Sequence, residues 1–373
     1  MSVMTQDALA DRLDSLRMAI AARELDALLL IDMTNIGYLT GFTGSAAYVL
    51  VSQDEAIVIT DGRYAIRVRE EAPKFTPVIA AGSGGYPGAL QEALTSRPLL
   101  RKVGFEADHM TVAQWERFGK DLPEGVALIA ASGLVEELRL TKDAGEIAKT
   151  RRAIEVAQTA FLSVKHLLRP GVSEREYAAE LDFAMRKGGA QQTAFETIVA
   201  SGPQSAHPHH SPNARVFEIG DFITIDWGAE VDSYCSDITR TVFIGSDADA
   251  TPKHHEVYET VLEAQRLAIA AIAPGKNGQE IDAVAREHIA SRGYGEAFAH
   301  SLGHSLGRKV HDGPGFSTRG ADFILRPGMI MTVEPGIYLE GWGGLRIEED
   351  VLVTEDGCET LTSLPNGFEA LGG

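Results

Sequence analysis

Cysteine is nearly absent: Cys235 and Cys358 are the only two in 373 residues. That excludes a disulfide framework and a four-cysteine zinc site, and it points to a reducing, cytoplasmic setting. Positive charge is scarce as well, since 34 Lys and Arg stand against 53 Asp and Glu, for a formal net charge of -19. Phosphate backbones and anionic lipid surfaces are bound largely through Lys and Arg, so no nucleic-acid partner and no membrane partner is expected. Long apolar runs are missing from the first part of the chain. Asp7, Asp11, Asp14 and Asp26 interrupt it, and its longest aliphatic stretch, 28–31, is too short for a membrane span or a signal core.

What remains is an ordinary globular composition, 44% hydrophobic and 23% charged, in a length that implies two domains at roughly 150 residues each. Leu9, Leu13, Leu16 and Ile20 recur at helical spacing, residues 28–31 read as a buried strand, and 48–51 with 56–60 read as a hairpin around the polar turn 52–55. The first part is therefore mixed α and β. Near residue 140 the sequence turns small and polar, and Asp143 with Glu146 forms a capping pair that opens a long helix. We set the domains at 1–139 and 140–373.

The second part carries a faint internal repeat. A helix ending at Pro170-Gly171 precedes one opened by Ser173 and Glu176. The stop recurs at Pro274-Gly275, 104 positions later, again before a helix. Each helix pair is followed by β-like segments bearing acids: 222–227 and 238–243 in the first copy, 329–333 and 345–347 in the second. Helix and strand alternate similarly in many α/β chains without duplication. A true duplication would place two carboxylate pairs across a pseudo-two-fold seam.

Asp226 closes one apolar strand and Asp237 opens the next, and a fold near 231–232 would bring the two opposite each other. Glu334 and Glu348 have matching positions in the second copy. Paired carboxylates repel unless a cation or a raised pKa intervenes. His304, within HSLGHSLG, can add an imidazole nitrogen, and a second histidine-rich stretch, SAHPHH, precedes Asp226. Four carboxylates balance two divalent ions, and such a pair activates water and stabilises a developing oxyanion. Oxygen ligands with one imidazole suit manganese, with cobalt, zinc or iron as alternatives. No organic cofactor is indicated.

These residues make the chain recognisable: it resembles the pita-bread metallopeptidases, in the branch of aminopeptidase P and prolidase. The carrying motifs are ITIDWGA, SDITRT, MTVEPGIY and GGLRIEED, together with YLTGFTGSAAYVL and ITDGRY in the first part. The resemblance implies an α+β chain: a small α/β creatinase-type N-terminal domain, then a pita-bread catalytic domain with pseudo-two-fold symmetry. It implies five metal ligands, Asp226, Asp237, His304, Glu334 and Glu348. It also implies that His209 contacts the scissile nitrogen, His311 the scissile carbonyl, and that His300 and Tyr338 stand in the active site. Glu334 would double as proton shuttle, and Arg346 would orient the metal carboxylates. Ser305 and Arg308-Lys309 depart from the family pattern, where glycine and an aliphatic-acidic pair are commoner.

The function expected from this resemblance is an Xaa-Pro aminopeptidase acting on short peptides, with an Xaa-Pro dipeptidase as the alternative. A metal-dependent lyase and a non-catalytic binding protein are more remote. The N-terminal domain further implies a homodimer.

Overall fold

The computed structural model describes residues 6–372 apart from 83, 121 and 321. Its contacts divide the chain into two compact units, Met1–Arg139 and Leu140–Gly373. Among the described residues no helix is long and apolar enough to cross a membrane.

The first unit opens with helix α1 (Gln6–Ala22), whose Leu9, Leu13, Leu16 and Ile20 are all buried. Six strands follow: β1 (Ala27–Leu30), β2 (Tyr48–Ser52), β3 (Ala56–Asp61), β4 (Thr76–Ala80), β5 (Lys102–Phe105) and β6 (Ala127–Ala130). They form one sheet in the order β4-β3-β2-β1-β5-β6. Strands β2 and β3 make the expected antiparallel hairpin, with Val51 opposite Ala56. Strand β1 runs antiparallel to β2 and parallel to β5. The sheet buries both faces, so its strands read as apolar runs rather than alternations.

The second unit begins with α2 (Ala144–Val164), started by a capping box between Asp143 and Glu146. Helix α3 (Glu174–Lys187) starts with the same device at Ser173 and Glu176. Strands β7 (Ile198–Ser201), β8 (Phe222–Trp227) and β9 (Ile238–Gly245) then build an antiparallel sheet with β8 in the middle. The second half repeats the plan with α4 (Pro252–Ala271), α5 (Gly278–Ser291), β10 (Ile330–Val333), β11 (Gly336–Leu339), β12 (Gly343–Arg346) and β13 (Glu349–Val353).

The repeat extends to single hydrogen bonds. Gly171 N donates to Phe217 O, and Gly275 N donates to Leu325 O. Ser173 bridges to Val216 as Asn277 bridges to Ile324. Gly220 and Gly328, 108 positions apart, have φ of 97° and 87°, a region that glycine enters without steric cost. These paired contacts carry the pseudo-two-fold symmetry.

One register detail differs from the spacing argument. The first hairpin turns on Asp232 and Ser233, at φ 49° and 63°, with Val231 opposite Tyr234. A two-residue turn with both φ positive matches strand twist. It shifts the register by two, so Asp226 lies opposite Thr239 and Asp237 is its diagonal neighbour. In the second half the expected register holds, and the hairpin is only interrupted at Glu334-Pro335. Strand β12 pairs with β11, and β10 pairs with β13, where Val333 is opposite Glu349. Both ladders share one register, so Glu348 stands opposite Glu334 at the break between them.

Candidate metal centre and active-site cavity

Side chains from both halves meet at the ends of β8, β9, β10 and β12. Apolar residues on these strands pack into the core, so the acids at the strand ends are fixed by their neighbours' burial. Asp237, His304 and Glu348 each present a ligand atom within 4.8 Å of the other two. His304 Nε2 lies 3.4 Å from Asp237 Oδ2 and 3.5 Å from Glu334 Oε1. Asp226 is tied in through Arg346, whose Nη2 donates to Asp226 Oδ2 at 2.6 Å.

The charges are confined. Asp237, Glu348 and Asp350 are held well above the usual carboxylate range, first by burial, and for Asp237 and Glu348 next by the neighbouring acids. Glu334 is raised as well, chiefly by burial, with His304 and Arg346 opposing. Burial works against the charge on Arg346, but Tyr338, Asp226, Glu334 and Glu348 outweigh it. One guanidinium cannot neutralise this many carboxylates.

A divalent metal fits on this chain's own geometry. Asp226 Oδ1 and Asp350 Oδ1 are shielded from solvent and lack any hydrogen-bond partner among the described residues. A buried unpartnered carboxylate oxygen costs free energy, and a cation removes that cost. The donor set is one imidazole among carboxylates, which suits a hard or borderline divalent ion.

The predicted histidines fall around the same space. A cavity of about 750 Å³ is lined by His209, His300, His304 and His311 together with Asp226 and Glu334. The His311 ring centroid is 4.1 Å from that of His304, and burial with the His304 charge lowers its pKa. His300 is half-buried and its pKa drops to about 4, through desolvation first and Arg346 second. Its Nδ1 faces Ser301 O at 2.8 Å, so the proton belongs there, and Nε2 accepts from Tyr338 OH at 2.9 Å. Tyr338 OH in turn accepts from Arg346 Nη1 at 2.7 Å, and burial raises the phenol to about 12.

Sequence reasoning missed several contributors. Thr239 Oγ1 donates to Glu348 Oε2 at 2.7 Å and accepts from Arg346 Nε at 3.1 Å. Arg240 donates to Glu348 O at 2.6 Å and pairs with Glu349 at 2.9 Å. Asp350 Oδ2 accepts from Asp237 N at 3.2 Å. All three lie inside the motifs SDITRT and GGLRIEED, so their signal was adjacency to the proposed ligands. Gly303 packs directly on the Thr332 backbone, leaving no room for a Cβ beside His304.

A cluster of carboxylates and histidines fit for a metal, set in a duplicated α+β domain, defines a metallohydrolase class. Residues 148–355 match the metallopeptidase family M24, and residues 12–141 match the creatinase/prolidase N-terminal domain. The chain belongs to metallopeptidase family M24, in the aminopeptidase P and prolidase branch. It is similar to the solved Xaa-Pro dipeptidase from Bacillus anthracis, with 40% identity, TM-score 0.92, and coverage of 97% of this chain and 100% of that one. The X-Pro aminopeptidase from Thermotoga maritima MSB8 shares 40% identity with TM-score 0.86, covering 93% and 98%. The Xaa-Pro dipeptidase of Pyrococcus furiosus is 34% identical over 353 residues, 94% of this chain and 97% of that protein.

Proposed function

We propose that this metallopeptidase is an Xaa-Pro dipeptidase using two divalent ions, manganese by preference, held by Asp226, Asp237, His304, Glu334 and Glu348. The observation that carries the dipeptide preference is the cationic pair Arg308 and Lys309 on the wall of a cavity that also exposes acids. A free dipeptide is a zwitterion, so its ammonium suits the acidic side and its carboxylate suits a cation. Relatives from Bacillus anthracis and Pyrococcus furiosus bear the name Xaa-Pro dipeptidase, which favours this reading over the aminopeptidase expected from sequence. The Thermotoga maritima relative, named X-Pro aminopeptidase, keeps cleavage of longer peptides as the second reading.

Bound metal supplies Lewis acidity and an activated water. The chain's own residues do the rest: His209 contacts the scissile nitrogen, His311 donates to the developing oxyanion, and Glu334 moves a proton toward the leaving nitrogen. Arg346 holds Asp226 and, through Tyr338, sets His300. Proline makes the scissile nitrogen tertiary, so no N–H need be accommodated there. The two free cysteines suit a cytoplasmic enzyme, and the family resemblance supports a homodimer. Comparing hydrolysis of Xaa-Pro with Xaa-Pro-Yaa in the manganese-loaded protein tests the reading. Dipeptide-restricted cleavage is expected, and equal or better tripeptide cleavage makes the chain an aminopeptidase.

A further inference from the structure

Glu174, the first residue of α3, lies outside the metal cluster, and its side chain is wholly buried. Both of its oxygens are saturated. Oε1 accepts from Ser201 N at 2.9 Å and Ser201 Oγ at 2.6 Å. Oε2 accepts from His210 Nε2 at 2.8 Å and Asn213 N at 3.2 Å. These donors belong to the two ends of segment 201–213, which contains His209. Arg215, itself paired with Asp221, donates to Ser201 Oγ at 2.7 Å and so extends the network to a cation.

His209 is exposed on the cavity wall, and its immediate neighbours are anchored on both sides. Pro208 O accepts from Arg346 Nη1 at 3.4 Å, and the His210 ring is held by Glu174. Ser205 adds a third tie, accepting from Gly344 N at 2.8 Å. A side chain between two such anchors has a defined direction although it makes few contacts of its own.

The second half uses a similar arrangement for His300. Asp282 on α5, also wholly buried, accepts from Leu302 N at 3.0 Å and pairs with Arg286 at 2.8 Å. Arg286 then donates to Phe298 O and His300 O at 2.9 Å and 2.8 Å. In each half a buried carboxylate on the second helix fixes a histidine-bearing segment at the cavity.

We propose that Glu174 is a positioning residue for His209: by holding His210 and both ends of segment 201–213, it sets where the His209 imidazole stands at the cavity. The inference rests on the reading of this cavity as the peptidase site. It applies whether the substrate is a dipeptide or a longer peptide. A carboxylate is needed because all four donors point at it; an amide would turn an N–H toward one of the donor pairs.

The test is a double-mutant cycle on the manganese-loaded enzyme with an Xaa-Pro substrate. Glu174→Gln should lower kcat/KM by about tenfold to a hundredfold, the range for displacing a positioned group, with metal content unchanged. On a His209→Ala background the same change should have almost no further effect. Multiplicative losses in the cycle overturn the proposal, because they mean that Glu174 acts on something other than His209. Absence of any loss in His209→Ala overturns the proposal together with the role given to that histidine. Should Glu174→Gln not fold, His210→Phe takes its place in the cycle. His210→Gln, which keeps an N–H donor for Glu174, should then stay close to the parent enzyme, and a loss as large as that of His210→Phe also overturns the proposal.

Discussion

Arg346 Nη2 donates to Asp226 Oδ2, while Oδ1 of the same carboxylate is shielded from water and has no partner among the described residues. One oxygen is thus fixed by the protein and the other is left for a cation. Asp226→Asn and Glu348→Gln should each lose bound divalent metal and activity together. Elemental analysis should find up to two ions per chain in the parent protein. Full activity in metal-free protein would sink the assignment.

Arg346 is surrounded by groups that depend on its charge, and its side chain is only 4% exposed. Arg346→Met leaves Asp226 buried without its partner, and breaking a buried pair in this way costs about 3–5 kcal/mol. Chemical unfolding of the catalytic unit should shift by that order. An unchanged midpoint would mean that solvent reaches Asp226 and screens it.

The raised carboxylates Asp237, Glu334, Glu348 and Asp350 give metal-free protein a definite pH response. The folded state keeps protons that the unfolded chain has already released, so stability is greatest at acid pH, below the ordinary carboxylate pKa. It falls as pH rises toward the raised values. Thermal melts of stripped protein should therefore show lower stability at pH 8 than at pH 5.5. Adding manganese should flatten that slope, because the ion replaces the protons.

The acids, their order and the duplicated plan were legible because each falls at the end of an apolar strand and inside a distinctive motif. The register of the first hairpin was not. Placing Asp226 opposite Thr239 rather than Asp237 required knowing that Asp232 and Ser233 both adopt positive φ, and neither residue signals that as asparagine-glycine would. The second hairpin was legible, because its spacing already sets Glu334 opposite Glu348, the register that both of its ladders keep. Glu174 escaped notice for a different reason: its local role near a capping box accounts for a glutamate there, and its contacts with 201–213 are tertiary.

His300 should remain neutral throughout the working pH range, since its pKa sits at about 4. NMR titration should show no protonation of this ring above pH 5. A midpoint near the usual histidine value would contradict the Tyr338-to-His300 hydrogen bond as oriented above. Tyr338→Phe removes both the hydrogen bond to His300 and the charge-assisted one from Arg346, and should reduce turnover by about tenfold or more.

His311 stands beside His304 yet is not needed to complete the carboxylate cluster. His311→Ala should reduce turnover by about a hundredfold, the effect of removing one oxyanion donor, while metal content stays at the parent level. Loss of metal in this variant would instead make His311 a ligand.

Arg308 offers the sharpest test of substrate length. Its guanidinium lies 5.4 Å from the Tyr234 ring centroid, its Nε is buried without a hydrogen-bond partner among the described residues, and the side chain lines the cavity. Arg346 cannot serve a substrate carboxylate equally well, because Asp226, Tyr338 and Thr239 already occupy its donors. A charge-assisted hydrogen bond contributes about 1.5–3 kcal/mol, so Arg308→Met should raise KM for Xaa-Pro dipeptides by about tenfold or more. The same variant should leave KM for Xaa-Pro amides, which lack the free carboxylate, nearly unchanged. An equal rise for both substrates would show that Arg308 shapes the cavity wall without reading the carboxylate, and the dipeptide preference would then need another cation.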